Sequence, residues 1–396
     1  MIPYSKQLIS AKDRKEVDKV LKSNFLTQGP MVKKFEDEIR KFVGSKYAIA
    51  VNSATSALHL SCLALGLKKN DLVWTSTNTF VSTANSAILS GAKVDFVDIS
   101  LEDYNMSIKA LTKKLKIAKI RKKLPKVIIP VHFAGRPCKM KEIYNLSKKY
   151  GFKIIEDASH ALGSEIYGEK IGNCKYSDLC IFSFHPVKNI TTGEGGLVTT
   201  NNKFFFENIE MLRTHGITKD KKKFKLKNPP PWYFEQLSLG LNYRMNDIEA
   251  ALGVSQFKSL KKFLKLRNNI AKFYNKKLSN LNLHLPKIDK NINNAFHLYP
   301  VRTIGHKSKS IRLKLFKYLR KKKINVNIHY IPVYSHPYYK KIGYKKTNFP
   351  NMELYYNSVL SLPIYPGLKK REIVKVINYI KKIINEKKFS VCSDKE

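Results

Sequence analysis

The feature that most constrains the fold is an alternation of short apolar runs with amphipathic segments between residues 47 and 200. The apolar runs predict seven β-strands, at 47–51, 72–75, 94–97, 127–131, 153–155, 181–184 and 195–200. Most of the segments between them have apolar residues at helical spacing and predict α-helices. Strands that alternate with helices in this way form a mostly parallel sheet covered on both faces. The sequence therefore predicts an α/β fold.

The chain has 396 residues, which is too long for one ordinary hydrophobic core. A helix is predicted over 246–260, and the character of the sequence changes after it. Long lysine-rich helices follow with a few strands, including 296–301 and 325–329. We therefore predict a large domain at 1–255, which includes an N-terminal helical segment, and a smaller C-terminal domain at 256–396.

The sequence argues against a membrane protein and against a metal site. No uninterrupted apolar stretch approaches ~18 residues, and no apolar leader with a cleavage site follows Met1. The five cysteines form no CxxC pair and no zinc-binding spacing; they stand at 62, 138, 174, 180 and 392. We expect a cytoplasmic protein with reduced thiols and no bound metal.

The net charge of +44, from 74 Lys+Arg against 30 Asp+Glu, is extreme. A charge of this size is typical of proteins that bind nucleic acid or anionic membranes. Only 11 of the 74 basic residues are arginine, however, and base-reading surfaces favour arginine. The lysines are spread over the whole length, which indicates solvated surface residues. We therefore predict no nucleic-acid partner and no membrane partner, and keep a non-catalytic nucleic-acid-binding protein as a remote alternative.

Reactive residues follow two of the predicted strands, and in an open parallel sheet function collects at the carboxyl ends of the strands. Asp157 follows the run 153–155, where its ordinary role would be to cap a helix. Lys188 lies between an aromatic strand and a glycine-rich turn at 191–196. Most lysines are solvated. A lysine in these surroundings would be partly desolvated, which lowers its pKa and makes it a usable nucleophile.

A third element is the run of small residues at 52–57, which begins a predicted helix. The free backbone N–H groups and the positive dipole of a helix start suit a phosphate, although small-residue helix starts are common. A phosphate site, a buried carboxylate and a desolvated lysine are together what pyridoxal phosphate (PLP) requires. The phosphate anchors it, the carboxylate keeps the ring nitrogen protonated, and the lysine binds the aldehyde.

Four segments resemble the signature segments of the DegT/DnrJ/StrS sugar aminotransferases: 52–58 (NSATSAL), 156–163 (EDASHALG), 182–196 (FSFHPVKNITTGEGG) and 240–253 (GLNYRMNDIEAALG). The resemblance covers essentially the whole chain. It implies a PLP-dependent transferase of fold type I, with a large domain built on a mostly parallel seven-stranded sheet and a smaller α/β C-terminal domain. Members of this family aminate nucleotide-linked keto-sugars, and the pyridoxamine form of the cofactor is an intermediate.

The resemblance also implies roles for individual residues. Lys188 matches the Schiff-base lysine, Asp157 the partner of the pyridinium nitrogen, and His160 a residue beside the ring; these three are the expected catalytic residues. In one dehydrase branch the lysine is replaced, usually by histidine, so Lys188 disfavours that branch. The remaining expected cofactor contacts are Phe80, which would stack on the ring, and Ala54, Thr55, Ser183 and Asn242, which would bind the phosphate.

Asn242 matches a residue that reaches the cofactor of the neighbouring subunit, which implies a homodimer with shared active sites. The ordinary alternatives are a turn residue for Asn242, a core histidine for His160 and core packing for Phe80. On the substrate side, His185 could meet the sugar or the donor carboxylate. His329 and Tyr334 match a segment that faces the sugar.

Within the family, the runs at 25–30, 72–76 and 131–135 are most similar to the pseudaminic acid branch. That similarity implies transfer of the amino group of L-glutamate to carbon 4 of a UDP-linked 2-acetamido-4-keto-6-deoxy sugar. Another sugar carbon or another nucleotide remains the alternative within the family.

Overall fold

The computed structural model describes residues 1–344 and 349–390. The β-strands of this part of the chain are β1 (Tyr47–Val51), β2 (Leu72–Ser76), β3 (Lys93–Val97), β4 (Val127–Ile129), β5 (Lys153–Asp157), β6 (Glu165–Ile166), β7 (Glu169–Lys170), β8 (Leu179–Ser183), β9 (Gly196–Thr200), β10 (Ile217–Thr218), β11 (Glu235–Gln236), β12 (Leu283–His284), β13 (Ile292–Asn293), β14 (Tyr299–Thr303) and β15 (Val359–Leu362).

The α-helices are α1 (Ala11–Leu21), α2 (Pro30–Val43), α3 (Ala54–Ala64), α4 (Val81–Leu89), α5 (Ile108–Ile120), α6 (Met140–Tyr150), α7 (Lys203–Leu212), α8 (Asp247–Phe257), α9 (Leu260–Leu278), α10 (Ser308–Lys321), α11 (Pro337–Lys341), α12 (Pro350–Ser358) and α13 (Lys370–Ser390). Short 3₁₀ turns lie at Phe133–Gly135, Lys221–Lys223 and Val333–Ser335.

The main sheet has seven strands in the order β1-β9-β8-β5-β4-β2-β3. Strand β9 pairs antiparallel with β1 and with β8, and the other neighbours pair parallel. Six strands therefore run in one direction and β9 runs against them. The predicted mostly parallel seven-stranded α/β fold is confirmed.

Both faces of this sheet are covered, which explains why its strands are apolar along their whole length. Alternate residues of β1 enter different cores: Ile49 and Val51 pack in a cluster with α3 and α4, whereas Ala48 and Ala50 pack in one with α2 and α8. A further cluster joins the other half of the sheet to α5 and α6. The functional ends of the strands are thus held on a sheet packed from both sides.

The C-terminal part is built on the antiparallel sheet β12-β14-β15, whose core also includes residues of α9, α10 and α13. The N-terminus joins this part: the Ile2 side chain lies in the same core, and its backbone bonds to Lys323 and Asn325 at 2.9 and 2.8 Å. The division at residue 255 remains a prediction, and the structure adds that the first residues pack against the C-terminal part.

Within residues 1–344 and 349–390, no helix combines the length and the apolar composition needed to cross a bilayer. Cys62, Cys138, Cys174 and Cys180 are buried free thiols, and Cys392 lies outside the described residues.

Candidate active site

A cavity of about 500 Å³ lies at the carboxyl ends of β5 and β8, against the N-termini of α3 and α4. Nine of the eleven residues singled out from the sequence line it: Ala54, Thr55, Phe80, Asp157, His160, Ser183, His185, Lys188 and His329. The structure therefore brings together residues that are up to 275 positions apart in the chain.

Asp157 is the last residue of β5, and its side chain is buried. One carboxylate oxygen accepts a hydrogen bond of 2.7 Å from the Thr83 hydroxyl, and the other accepts one of 3.1 Å from the backbone N–H of Ser159. The Thr83 hydroxyl also lies 2.7 Å from that of Thr79. This carboxylate is therefore oriented by α4 and by its own turn.

Lys188 follows β8 in a turn whose backbone is closed by a 2.9 Å bond from its N–H to the His185 carbonyl. The lysine is partly buried. The surrounding protein excludes water from the ammonium group and lowers the pKa of Lys188 to about 8, and the negative charge of Asp157 opposes this shift only in part. Near pH 8 a large fraction of this amine is unprotonated and nucleophilic.

The N-terminus of α3 meets the strand pair β8–β9. Ser53 caps the helix by accepting a 3.1 Å bond from the N–H of Ser56. The N–H groups of Ala54 and Thr55, in the first helical turn, have no partner within the helix. Gly196, opposite Ser183 in the sheet, permits this close approach, because a Cβ at that position would collide with the Ser53 carbonyl. Free N–H groups and the Ser183 hydroxyl are therefore available to one anion.

His160 is buried in a single tautomer. Its Nδ1 accepts a 3.3 Å bond from the backbone N–H of Ala134, so the proton lies on Nε2, which is 3.2 Å from the hydroxyl oxygen of Tyr330. Burial lowers the pKa of His160 well below its usual value, and the charge of Lys188 adds to this effect. The imidazole is thus neutral and donates a hydrogen bond to Tyr330.

The loop that supplies Ala134 is fixed by a buried pair beneath the pocket. His132 Nε2 lies 2.8 Å from Glu156, and His132 Nδ1 accepts a 2.9 Å bond from the N–H of Cys138. The backbone N–H of His132 also bonds to the Asp157 carbonyl at 3.0 Å. This loop therefore links the backbones that position Asp157 and His160.

The mouth of the pocket carries Phe80 and His185, and one side carries His329. Phe80 is 56% exposed, and its ring lies 5.9 Å from that of Tyr330. His329 is buried, with Nδ1 2.9 Å from the Ser361 hydroxyl, and burial lowers the pKa of His329 to about 3. Phe80 therefore presents an open aromatic face to a bound ring, which ordinary core packing would have covered.

Two expected residues do not line the pocket. Asn242 is exposed and forms a β-bridge with Thr214. Tyr334 is buried in the core, where its ring contacts Phe96 and its hydroxyl donates a 3.0 Å bond to Glu353. The expectation that Tyr334 faces the sugar is not supported, because the 3₁₀ turn at Val333–Ser335 directs the side chain into the core under α4 and α12.

Several lining residues were missed in the sequence, namely Tyr4, Ser159, Glu194, His297, Asn327 and Tyr330. Thr83, which contacts Asp157 from α4, was missed as well. Tyr330 directly follows His329, so the same segment could have indicated it. His297 lies in an apolar run before β14 and gives no signal of its own.

These features fit PLP. Lys188 could bind its aldehyde, Asp157 could face its ring nitrogen, and the α3 N-terminus with Ser183 could bind its phosphate. Gly196 lets the backbone of Ser53 and Ala54 pack closely against the strand pair, which brings the helix start to the same site as Ser183. The cavity also leaves room for a substrate, since small-molecule pockets typically measure about 300–1,000 Å³.

Comparison with known proteins also indicates a PLP-dependent enzyme. Residues 7–381 match the model of the DegT/DnrJ/EryC1/StrS aminotransferase family. The UDP-4-amino-4,6-dideoxy-N-acetyl-beta-L-altrosamine transaminase of Campylobacter jejuni is 38% identical over 393 residues, which is 99% of this chain and 100% of that protein. The structure of Helicobacter pylori PseC, an aminotransferase of pseudaminic acid biosynthesis, superposes with a TM-score of 0.88 at 29% identity, over 97% of this chain and 99% of that one.

Spr1654 from Streptococcus pneumoniae, described as a sugar aminotransferase and solved in PLP and PMP (pyridoxamine phosphate) forms, superposes with a TM-score of 0.89 at 28% identity. The match covers 98% of this chain and 100% of that one. The family assignment makes the chain an enzyme and leaves the non-catalytic alternative without support. The chain belongs to the DegT/DnrJ/EryC1/StrS aminotransferase family and is a PLP-dependent sugar aminotransferase.

Proposed function

We propose that the protein transfers the amino group of L-glutamate to carbon 4 of a UDP-linked 2-acetamido-4-keto-6-deoxy sugar, in a route of the pseudaminic acid type. The observation that carries this proposal is the end-to-end similarity to the Campylobacter altrosamine transaminase, at 38% identity. The structural likeness to PseC supports it. We further propose that the enzyme works in the cytoplasm.

We assign the cofactor contacts from the geometry of the pocket. Lys188 would bind the aldehyde, Asp157 would pair with the ring nitrogen, and Phe80 would stack on the ring. Ala54, Thr55 and Ser183 would bind the phosphate. When bound, PLP supplies an electron sink for the negative charge that develops on the α-carbon of the donor.

The chain's own residues then handle the proton. The lowered pKa of Lys188 leaves its Nζ able to accept a proton near neutral pH and to return it. Lys188 is therefore the proposed acid and base, taking the proton from the donor α-carbon. The neutral His160 donates to Tyr330 and holds that hydroxyl in place at the edge of the pocket. His185 and His329, at the mouth and side of the cavity, are the proposed substrate contacts.

The substrate assignment can be tested by a panel of keto-sugars. Purified protein, PLP and glutamate are offered the UDP-linked L-arabino and D-xylo 4-ketones and a dTDP-linked 4-ketone, and the amino-sugar products are measured by mass. We expect preferred conversion of the UDP-linked L-arabino 4-ketone, because a site built around one hydroxyl rejects an epimer that leaves buried groups unpaired. Lys188→Ala, prepared in parallel, controls for contaminating transaminases. Preference for the dTDP sugar would contradict the assignment.

We also propose a homodimer in which Asn242 reaches the cofactor phosphate of the partner subunit. Asn242 is exposed and outside its own subunit's pocket, and apolar side chains near it in the sequence are strongly exposed: Trp232 is 81% and Leu239 is 86% accessible. Such residues commonly mark an interface between subunits.

Subunit mixing tests the shared site. A heterodimer of Lys188→Ala with Asn242→Ala has one pocket with both residues intact, so activity should return on exchange. Each variant alone is the control. Exchange proved by mass spectrometry without a gain in activity would show that each site is built from one chain.

A further inference from the structure

His297 is a buried pocket residue without a hydrogen bond. Its side chain lines the cavity, is 2% exposed, and stacks on the His160 ring with centroids 4.3 Å apart. The imidazole makes no hydrogen bond to any described residue; its Nδ1 is fully enclosed, so Nε2 is the nitrogen that a ligand in the cavity can reach. Buried polar atoms almost always have partners, because an unsatisfied one costs free energy. For Nε2, at the pocket wall, that partner can arrive with a ligand.

A buried arginine lies directly behind His297. Arg267, on α9, is 1% exposed, and its Nη1 donates to the backbone carbonyls of Phe296, His297 and Ile364 at 3.3, 3.3 and 2.9 Å. Its hydrogen-bond partners are all backbone carbonyls, and it forms no ion pair with any carboxylate in the described part of the chain. Buried charges are ordinarily paired, so this guanidinium leaves an uncompensated positive charge behind the pocket wall.

The other charges around the pocket do not neutralise this wall. Lys188 contributes a further positive charge at the pH values where it is protonated. The negative charge of Asp157 offsets that of Lys188, and Glu194 lies at the exposed rim. Burial, together with the neighbouring charges of Lys188 and Arg267, lowers the pKa of His297 well below its usual value. The imidazole is therefore neutral, carries one N–H, and stands in a positive potential.

We propose that His297, with Arg267 behind it, binds a carboxylate of the amino donor. A carboxylate accepts a hydrogen bond from the Nε2–H of the imidazole, and its negative charge is attracted by the buried guanidinium. This inference rests on the proposed function in so far as the donor is an amino acid. It goes further by assigning the donor carboxylate to a residue of the C-terminal part.

Glutarate tests this proposal. It has both carboxylates of the glutamate donor but no amino group, so it can occupy the donor site without reacting. Calorimetry with the cofactor-loaded protein should show binding of glutarate and much weaker binding of its neutral diamide, glutaramide. His297→Phe keeps the stacked ring and removes the donor, so glutarate affinity should fall about ten- to a hundredfold. His297→Gln keeps an N–H and should lose less. His59→Phe, at another buried histidine outside the pocket, should leave the affinity unchanged.

The outcomes separate clearly. Unchanged glutarate affinity in a folded His297→Phe protein, or equal binding of glutarate and glutaramide by the unaltered protein, overturns the proposal. If both His297 variants fail to fold, a crystal of the unaltered holoenzyme with glutarate decides, since a carboxylate more than hydrogen-bond distance from His297 overturns it as well. A failed keto-sugar panel would remove the proposed sugar and leave this binding result standing, so the two failures are distinguishable.

Discussion

The two walls of the pocket are built on different principles. On the wall formed by the main sheet, polar groups are held in position before any ligand binds. The Asp157 carboxylate accepts two hydrogen bonds, and Ser53 caps the N-terminus of α3. On the wall formed by the C-terminal part, the His297 imidazole has no hydrogen-bond partner among the described residues. The His329 imidazole has one, the Ser361 hydroxyl. The free N–H groups of Ala54 and Thr55 are held in place by the helix, whereas the His297 imidazole is held by packing alone, so the contrast lies in how the ligand-binding groups are positioned.

This contrast matches two kinds of ligand. A cofactor that stays bound throughout the cycle gains from a rigid set of contacts, because no reorganisation is needed at each turnover. A donor and a sugar must alternate in one space, and unsatisfied groups become paired only when a ligand is present. The sheet wall is therefore suited to hold PLP, and the opposite wall to admit and release substrates.

The largest effect is expected from Lys188→Ala. The variant should lose turnover and still bind PLP non-covalently, because the phosphate and ring-nitrogen contacts do not involve this residue. Borohydride should fix the cofactor to Lys188 in the unaltered protein and to no residue of the variant, as read by peptide mass spectrometry. Label on another lysine would contradict the assignment and would remove the basis for the sheet wall as a cofactor site.

Asp157→Asn should lower kcat by about 10²–10³-fold and leave the stability of the fold nearly unchanged. The amide still fills the space and can bond to Thr83, but it cannot keep the ring nitrogen protonated. Steady-state kinetics measure kcat, and thermal unfolding measures the stability. Glu156→Gln, at the neighbouring buried carboxylate that bonds to His132, is the matched control and should affect stability more than rate. Activity of Asp157→Asn within a few-fold of the unaltered protein would contradict the electron-sink role.

The third prediction concerns the titration of Lys188 in the cofactor-free protein. Its pKa of about 8 implies a half-neutral amine at pH 8, whereas an ordinary lysine would be about 0.4% neutral. Competitive acetylation read by mass spectrometry should therefore show Lys188 reacting with a midpoint near pH 8. Lys175, whose pKa is raised by its hydrogen bond to Glu169, is the control. A midpoint above pH 10 for Lys188 would mean that the sheet wall does not desolvate it.

The sequence predicted the sheet wall much better than the opposite one, and the reason is physical. Asp157, Ser183 and Lys188 each follow an apolar strand, and parallel strands place their carboxyl ends at one edge, so local patterns suffice. His297 and Tyr330 reach the pocket only through packing of the C-terminal part against the large sheet. No local pattern encodes that packing, and a short 3₁₀ turn was enough to take Tyr334 out of the site.

The smallest effect is expected from Tyr334→Phe. Its hydroxyl donates to Glu353 at 3.0 Å, and its ring packs on Phe96 in the core, away from the lining of the cavity. Tyr334→Phe should therefore lower the free energy of unfolding by about 1 kcal/mol and leave KM for donor and sugar unchanged. Denaturant unfolding and steady-state kinetics on one preparation measure both quantities. Tyr339→Phe, which loses a similar 2.6 Å bond to Asn85, is the matched control. A rise in KM for the sugar with unchanged stability would return Tyr334 to the substrate side and weaken the contrast between the two walls.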